Sequence, residues 1–256
     1  MRVVVKVGTS TLTHQTGHLN IRRMENLCRV LSDLKNAGHQ MILVSSGAIG
    51  MGVGKLSLKE RPADMPTKQA AAAVGQCELM YTYDRLFSEY NHSVAQILLT
   101  GEDFNHAERY KNFCNTLHRL LDLDVLPIIN ENDTVSTREI AVGDNDTLAA
   151  MVAVSAGAEL LVLLSDIDGL YTADPHKNPD AKLIPVVENL TEEIYALAGE
   201  KGSALGTGGM ATKLQAARIC SEKGIDMMIA NGADSDILYA IEDGKQVGTL
   251  FKGAKK

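Results

Sequence analysis

Arg2-Val3-Val4-Val5-Lys6-Val7-Gly8-Thr9-Ser10 is the stretch whose reading decides the fold. Residues 2 to 7 read as a short strand, and a strand apolar on both faces needs cover on both, as in a parallel sheet packed between helices. The strand runs into a glycine turn with two hydroxyls, where free backbone N–H groups can cradle phosphate oxygens. Lys6 is the residue that a purely structural strand does not explain, because desolvating an unpaired ammonium is costly. Either the strand lies at an edge and Lys6 reaches water along its own stem, or Lys6 serves a ligand.

The same alternation continues outward from that strand. Asn20 caps a helix in which Ile21, Met24, Leu27, Cys28, Leu31 and Leu34 recur at helical spacing until Gly38. Met41–Val44, Ser93–Leu99, Val125–Ile129, Leu160–Leu164 and Ile225–Ala230 are predicted strands, with a terminal one at Gly248–Phe251 and a small polar-edged one at Glu139–Val142. Helices are predicted over Lys68–Glu89, Met210–Lys223 and Ser235–Glu242, while Gly47–Lys55 (GAIGMGVGK) is too rich in glycine to be a strand throughout. Strands alternating with helices predict an α/β fold with a mainly parallel sheet and crossover helices. No linker, repeat or low-complexity tract interrupts the order, so one domain over residues 1–256 is expected, with a frayed GAKK tail.

Composition narrows the function. The chain is 45% hydrophobic and only 4% aromatic, so its apolar mass is mostly Ala, Val, Leu and Ile, which suits helices on a buried sheet. A formal charge of −7 supplies no basic field for nucleic acid and leaves open a small polyanion held by local lysines and amides. Cys28, Cys77, Cys114 and Cys220 form no C-x-x-C pair, which points to free thiols in a reducing cytosol and to no metal site. No apolar run approaches the ~18 residues of a membrane span, so a cytoplasmic protein without membrane contact is expected.

Four further stretches carry chemistry. Ser45-Ser46-Gly47-Ala48 follows an apolar strand, and two glycine-rich strand ends suggest one shared crevice beyond the carboxyl edge of the sheet. Gly206-Thr207-Gly208-Gly209-Met210-Ala211-Thr212-Lys213 leads glycines into a helix whose N-terminus offers unsatisfied N–H groups, with Lys213 one turn inside. Asn130-Glu131-Asn132-Asp133-Thr134 and Val142-Gly143-Asp144-Asn145-Asp146-Thr147 place amides and carboxylates at the ends of apolar elements; each alone is as well explained by turns and caps. Ser165-Asp166-Ile167-Asp168-Gly169 follows another strand, its acids facing a base, ribose or metal, or only solvent.

VVVKVGTS, ILVSSGAIG, INENDTVS, VGDNDTLAA, GLYTADP and GTGGMATK occur in the order found in the glutamate 5-kinases, a branch of the amino acid kinase family, and the chain resembles that family over most of residues 1–251. The resemblance implies a three-layer αβα sandwich around a mainly parallel sheet. It implies ATP-dependent phosphorylation of the side-chain carboxylate of L-glutamate, the first step of proline biosynthesis. Lys6 and Lys213 would stabilise the transferring phosphoryl group, with Asp146 orienting both. Gly8, Ser46, Asp133 and Asn145 would line the glutamate site, with Asp144 beside it. Lys6, Ser165, Asp166, Thr207, Gly208, Gly209, Met210, Ala211, Thr212 and Lys213 would bind ATP with its Mg²⁺, no protein metal ligand being assigned. Ser165 and Ser45 stand where the family commonly has Thr, changes that keep the hydroxyl. Feedback by proline and a homo-oligomer are implied as well. Many members continue into a C-terminal PUA domain, whereas this chain is expected to be the kinase domain alone. The competing readings are another member, such as an acetylglutamate kinase, aspartokinase or uridylate kinase, against which INEND and VGDND argue, or a non-catalytic nucleotide-sensing module, which would not need two lysines.

Overall fold

The computed structural model describes residues 1–14, 18–136, 145–175, 177–197 and 209–254. From the N-terminus these form β1 (Arg2–Val7), α1 (Thr9–Leu12), α2 (Ile21–Asn36), β2 (Gln40–Ser45), α3 (Ala48–Lys55) and α4 (Met65–Ser88). There follow β3 (Val94–Leu99), α5 (Gly101–Asn105), α6 (Ala107–Asp122), β4 (Leu126–Glu131), α7 (Asn145–Ala156) and β5 (Leu160–Ser165). The chain then forms β6 (Val186–Val187), α8 (Glu192–Leu197), α9 (Met210–Ser221), β7 (Asp226–Asn231), α10 (Ile237–Glu242) and β8 (Thr249–Phe251).

These strands make one sheet in the order β3-β4-β2-β1-β5-β7-β8-β6. β1 runs parallel to β2 on one side and to β5 on the other, so it is a central strand and Lys6 has no edge from which to reach water. The pairs β2/β4, β3/β4 and β5/β7 are also parallel, and only β8 turns antiparallel against β7, carrying β6 with it. The mainly parallel α/β architecture read from the sequence is the one found. β6, two residues long, is too short to show a period; the strand expected at Glu139–Val142 lies outside the described residues.

Alternation along β1 sorts its side chains between two layers. Val3, Val5 and Val7 pack with Met24, Leu27 and Leu31 of α2 and with Leu79, Tyr83 and Phe87 of α4. Val4 packs on the other face with Phe113 and Leu117 of α6, Leu148 and Val152 of α7, and Leu214 of α9. By the two-residue period of a strand, Lys6 shares the face of Val4 and is directed toward α7 and α9.

The glycine-rich stretch after β2 is a helix. Gly47, at φ +107°, turns the chain out of β2 in a conformation that costs other residues energy, and α3 begins at the next residue. Its glycines are there for proximity: a Cβ on Gly52 would lie 1.8 Å from the carbonyl oxygen of Ala71, and one on Gly75 would lie 1.7 Å from that of Ala48. α3 and α4 therefore pack backbone to backbone. Ser45, at the end of β2, is tied to α4 by its hydrogen bond to Tyr83.

Candidate active site

Parallel strands bring their carboxyl ends to one edge. Val7 is level with Ser45 of β2 and Leu164 of β5, and Ser165 with Asn231 of β7. α7 starts above this edge, with Asp146 in its first turn and fully buried. Lys6 Nζ lies 2.6 Å from Asp146 Oδ1, and Lys213 Nζ lies 3.0 Å from Oδ2. The Thr212 hydroxyl donates to Oδ2 over 3.2 Å. Burial alone would push this carboxyl up; the ammoniums of Lys6 and Lys213, with their hydrogen bonds, outweigh it and hold the carboxyl below the usual carboxylate range. The N-terminus of α7 favours the same ionised form. Two ammoniums fixed by one carboxylate in a poorly solvated place are an arrangement that attracts and orients phosphate.

A chain of amides adjoins this cluster. Asn145 Nδ2 donates to Ser46 Oγ at 2.6 Å, Asn130 Oδ1 at 3.0 Å and the Ser45 carbonyl at 3.3 Å. Asn130 Oδ1 also accepts from the backbone N–H of Glu131, and its Nδ2 donates to Gln76 Oε1, both at 2.9 Å. Ser45 Oγ is hydrogen-bonded to the buried Tyr83 hydroxyl at 2.8 Å. Ser46 and Asn145 were singled out from the sequence, whereas Gln76 and Tyr83 were not. The signal for Gln76 was a polar residue on the buried face of α4, between Ala72 and Leu79.

Asp133 sits in the turn after β4, outside this hydrogen-bonded chain. Burial, and then the neighbouring Glu131, push its carboxyl up to about 6, with Arg61 opposing. Gly8 precedes α1, and a Cβ there would sit 3.7 Å from Lys6 Nζ. Ser165 Oγ donates to Asp166 Oδ1 at 3.2 Å at the end of β5. Asp168 accepts from Asn231 Nδ2 at 2.7 Å and from the Tyr171 hydroxyl at 2.9 Å, which hold its carboxyl below the usual range; Asn231 was not anticipated. Gly209 is the N-cap of α9, followed by Met210, Ala211, Thr212 and Lys213, while Thr207, Gly208 and Asp144 lie outside the described residues. No group of three or more His, Cys, Asp or Glu able to hold a metal occurs among the described residues, and none of their helices is long and apolar enough to cross a membrane.

Residues 1–231 match the amino acid kinase family. A glutamate 5-kinase of Clostridium tetani is 54% identical over 253 residues, covering 99% of this chain and 95% of that protein. A glutamate 5-kinase of Caldanaerobacter subterraneus subsp. tengcongensis is 53% identical over 98% of this chain and 68% of its own length. Among solved structures, the product complex of an isopentenyl phosphate kinase from T. acidophilum superposes with a TM-score of 0.68 at 16% identity, covering 98% of this chain and all of that one. A UMP kinase from Ureaplasma parvum superposes with a TM-score of 0.66 at 13% identity, covering 98% of both chains. At such identities these two structures speak for the fold.

Proposed function

The chain belongs to the amino acid kinase family and, within it, to the glutamate 5-kinases, and we propose that it transfers the γ-phosphoryl group of ATP to the side-chain carboxylate of L-glutamate. The product is L-glutamyl 5-phosphate, the first intermediate of proline biosynthesis. The observation that carries the mechanism is the bridge of Asp146 between Lys6 and Lys213 beside the amides of Asn145 and Asn130.

Glutamate's side-chain carboxylate, with an ordinary pKa of about 4.3, is already ionised at neutral pH, so the nucleophile needs no general base. One of its oxygens attacks the γ-phosphorus in line. The bond from that phosphorus to the β,γ-bridging oxygen breaks, and its electron pair leaves with ADP. Catalysis then consists of positioning and of neutralising charge on the equatorial oxygens. Lys6 and Lys213 supply that charge and Asp146 fixes where it sits. Gly8, Ser46, Asp133 and Asn145 hold glutamate. Ser165, Asp166 and the segment Thr207, Gly208, Gly209, Met210, Ala211, Thr212 and Lys213 hold ATP. Mg²⁺ brought in with ATP would add to the neutralisation of phosphate charge; it requires few protein ligands, so the absence of a three-carboxylate cluster among the described residues is compatible with it.

One kinase domain over residues 1–256, working in the cytoplasm with its four thiols unpaired, completes this reading. Proline, which carries the same α-carboxylate and α-nitrogen as glutamate, competes for the amino-acid subsite as feedback inhibitor. Assembly as a homo-oligomer is part of the same reading. The test is ADP release by the purified chain with ATP, Mg²⁺ and glutamate, N-acetylglutamate, aspartate or UMP. Turnover is expected with glutamate and with none of the other three acceptors, and inhibition by added proline should weaken as glutamate rises; turnover only with another acceptor refutes the assignment.

A further inference from the structure

The amides of the site have a fixed polarity, and that polarity says which end of the amino acid each can read. The Ser45 carbonyl can only accept and the Glu131 N–H can only donate. The first keeps Nδ2 of Asn145 turned inward, and the second keeps Oδ1 of Asn130 turned toward the same nitrogen. Both N–H bonds of Asn145 are then engaged by Ser46, Asn130 and Ser45, and no hydrogen bond among the described residues uses its Oδ1. Asn130, oriented in this way, points its Nδ2 at Gln76, which must answer with Oε1.

Gln76 bears the cost of that arrangement. It is 8% exposed, and its Nε2 is buried without a partner among the described residues, a condition that folded chains ordinarily avoid. Rotating its amide would not help, because Nε2 would then face the NH₂ of Asn130. The unpaired donor persists because the rest of the chain of amides dictates it.

Resting on the reading of Asn145 as a glutamate-site residue, we propose that Gln76 and Asn130 are positioning residues that lock Asn145 with its carbonyl oxygen toward the substrate, so that Asn145 accepts from the α-ammonium of glutamate. The α-carboxylate is then read by other donors. Specificity for an amino acid over a plain dicarboxylate resides in a relay reaching into α4, away from the reacting atoms.

Glutarate, which is glutamate without its amino group, isolates this contact. The experiment is initial-rate kinetics of the full chain with glutamate and with glutarate, for the parent, Gln76→Met, Asn130→Ala, Asn145→Ala and the Gln76→Met/Asn145→Ala pair. Gln76→Met removes the acceptor that orients Asn130 together with the unpaired donor, so it should fold. We expect kcat/KM for glutamate to fall about tenfold in each single variant, through KM, as for loss of a hydrogen bond to a charged group. In Gln76→Met the rate constant for glutarate and KM for ATP stay near parental, and the double variant is no worse than Asn145→Ala. Equal losses with glutamate and glutarate, or additive losses in the double variant, overturn the proposal. Should Gln76→Met fail to fold, Asn130→Ala puts the same question from the other side of the link. Absence of any glutamate turnover by the parent chain overturns the activity itself, a different result from a changed glutamate-to-glutarate ratio.

Discussion

Replacing Asp146 by Asn keeps the shape of the side chain and removes the carboxylate that bridges Lys6 and Lys213. Both ammoniums contact the same carboxyl group, so they lie no more than ~8 Å apart by bond geometry, and at an effective dielectric of about 20 their repulsion is about 2 kcal/mol. Removing one member of a buried ionic cluster costs about 3–5 kcal/mol in total, because the desolvated charges lose the carboxylate they share. For a chain of this size that corresponds to a fall in Tm of roughly 10 °C. The assay is differential scanning calorimetry of parent and Asp146→Asn at matched ionic strength, with and without ATP. The sign of the pH dependence is fixed: a carboxyl held below its ordinary value contributes stability above the unfolded pKa and loses it as pH falls through the folded one. The gap between parent and variant should therefore stay constant from pH 8 to about 5 and close only at lower pH. ATP should raise the variant's Tm by more than the parent's, since its phosphates supply the missing counter-charge. A Tm within 2 °C of the parent, or a gap that closes near neutrality, would refute the reasoning.

Lys6→Ala and Lys213→Ala should each lower kcat by about 10²–10³ with little change in KM, as for loss of one preorganised electrostatic stabiliser, and a variant with near-parental kcat removes that lysine from the mechanism. Asp133, with its carboxyl pushed up to about 6, is ionised at neutral pH and loses its charge as pH falls through 6. kcat/KM for glutamate should show an inflection there that is absent in Asp133→Asn; the same inflection in both would assign it elsewhere. By linkage, a carboxyl with a raised folded pKa contributes stability at low pH and loses it as pH rises through 6, so Asp133→Asn should melt higher than the parent at pH 7.5 and not at pH 4. Gly75→Ala forces a methyl against the Ala48 carbonyl and should cost about 3 kcal/mol in urea unfolding, the upper end of the range for overpacking; an unchanged midpoint would mean that α3 and α4 separate freely.

Much of the scaffold was legible because its strands are short apolar runs buried on both faces, a pattern that survives without knowledge of their partners. α7 was not legible as a helix: Leu148, Ala149, Ala150, Val152 and Ala153 are all buried, and a helix apolar all round shows no stripe. α3 was hidden for a different reason, since its glycines oppose helix propensity and only the close approach of α4 accounts for them. In the site, Lys6 announced itself as a charge in an apolar strand, while its convergence on Asp146 with Lys213 came through resemblance; nothing in the spacing joins residues 6, 146 and 213. The link from Gln76 to Asn130 was beyond reach, because it joins a helix to a strand 54 positions away through side-chain amides that look alike in any sequence.

The ion pair of Lys6 has a consequence for how the chain finds its fold. Slipping β1 by one position against β2 and β5 would turn every one of its side chains to the opposite layer. A strand of valines alone would tolerate that error, since both layers are apolar. Lys6 does not: the slipped chain would drive its ammonium among Met24, Leu27 and Leu31, away from Asp146, and set a valine against that carboxylate. The charge that serves phosphoryl transfer thus also marks the one alignment of the central strand in which the sheet can close. An apolar residue at position 6 would erase that mark along with the chemistry, leaving a chain freer to misalign as it folds.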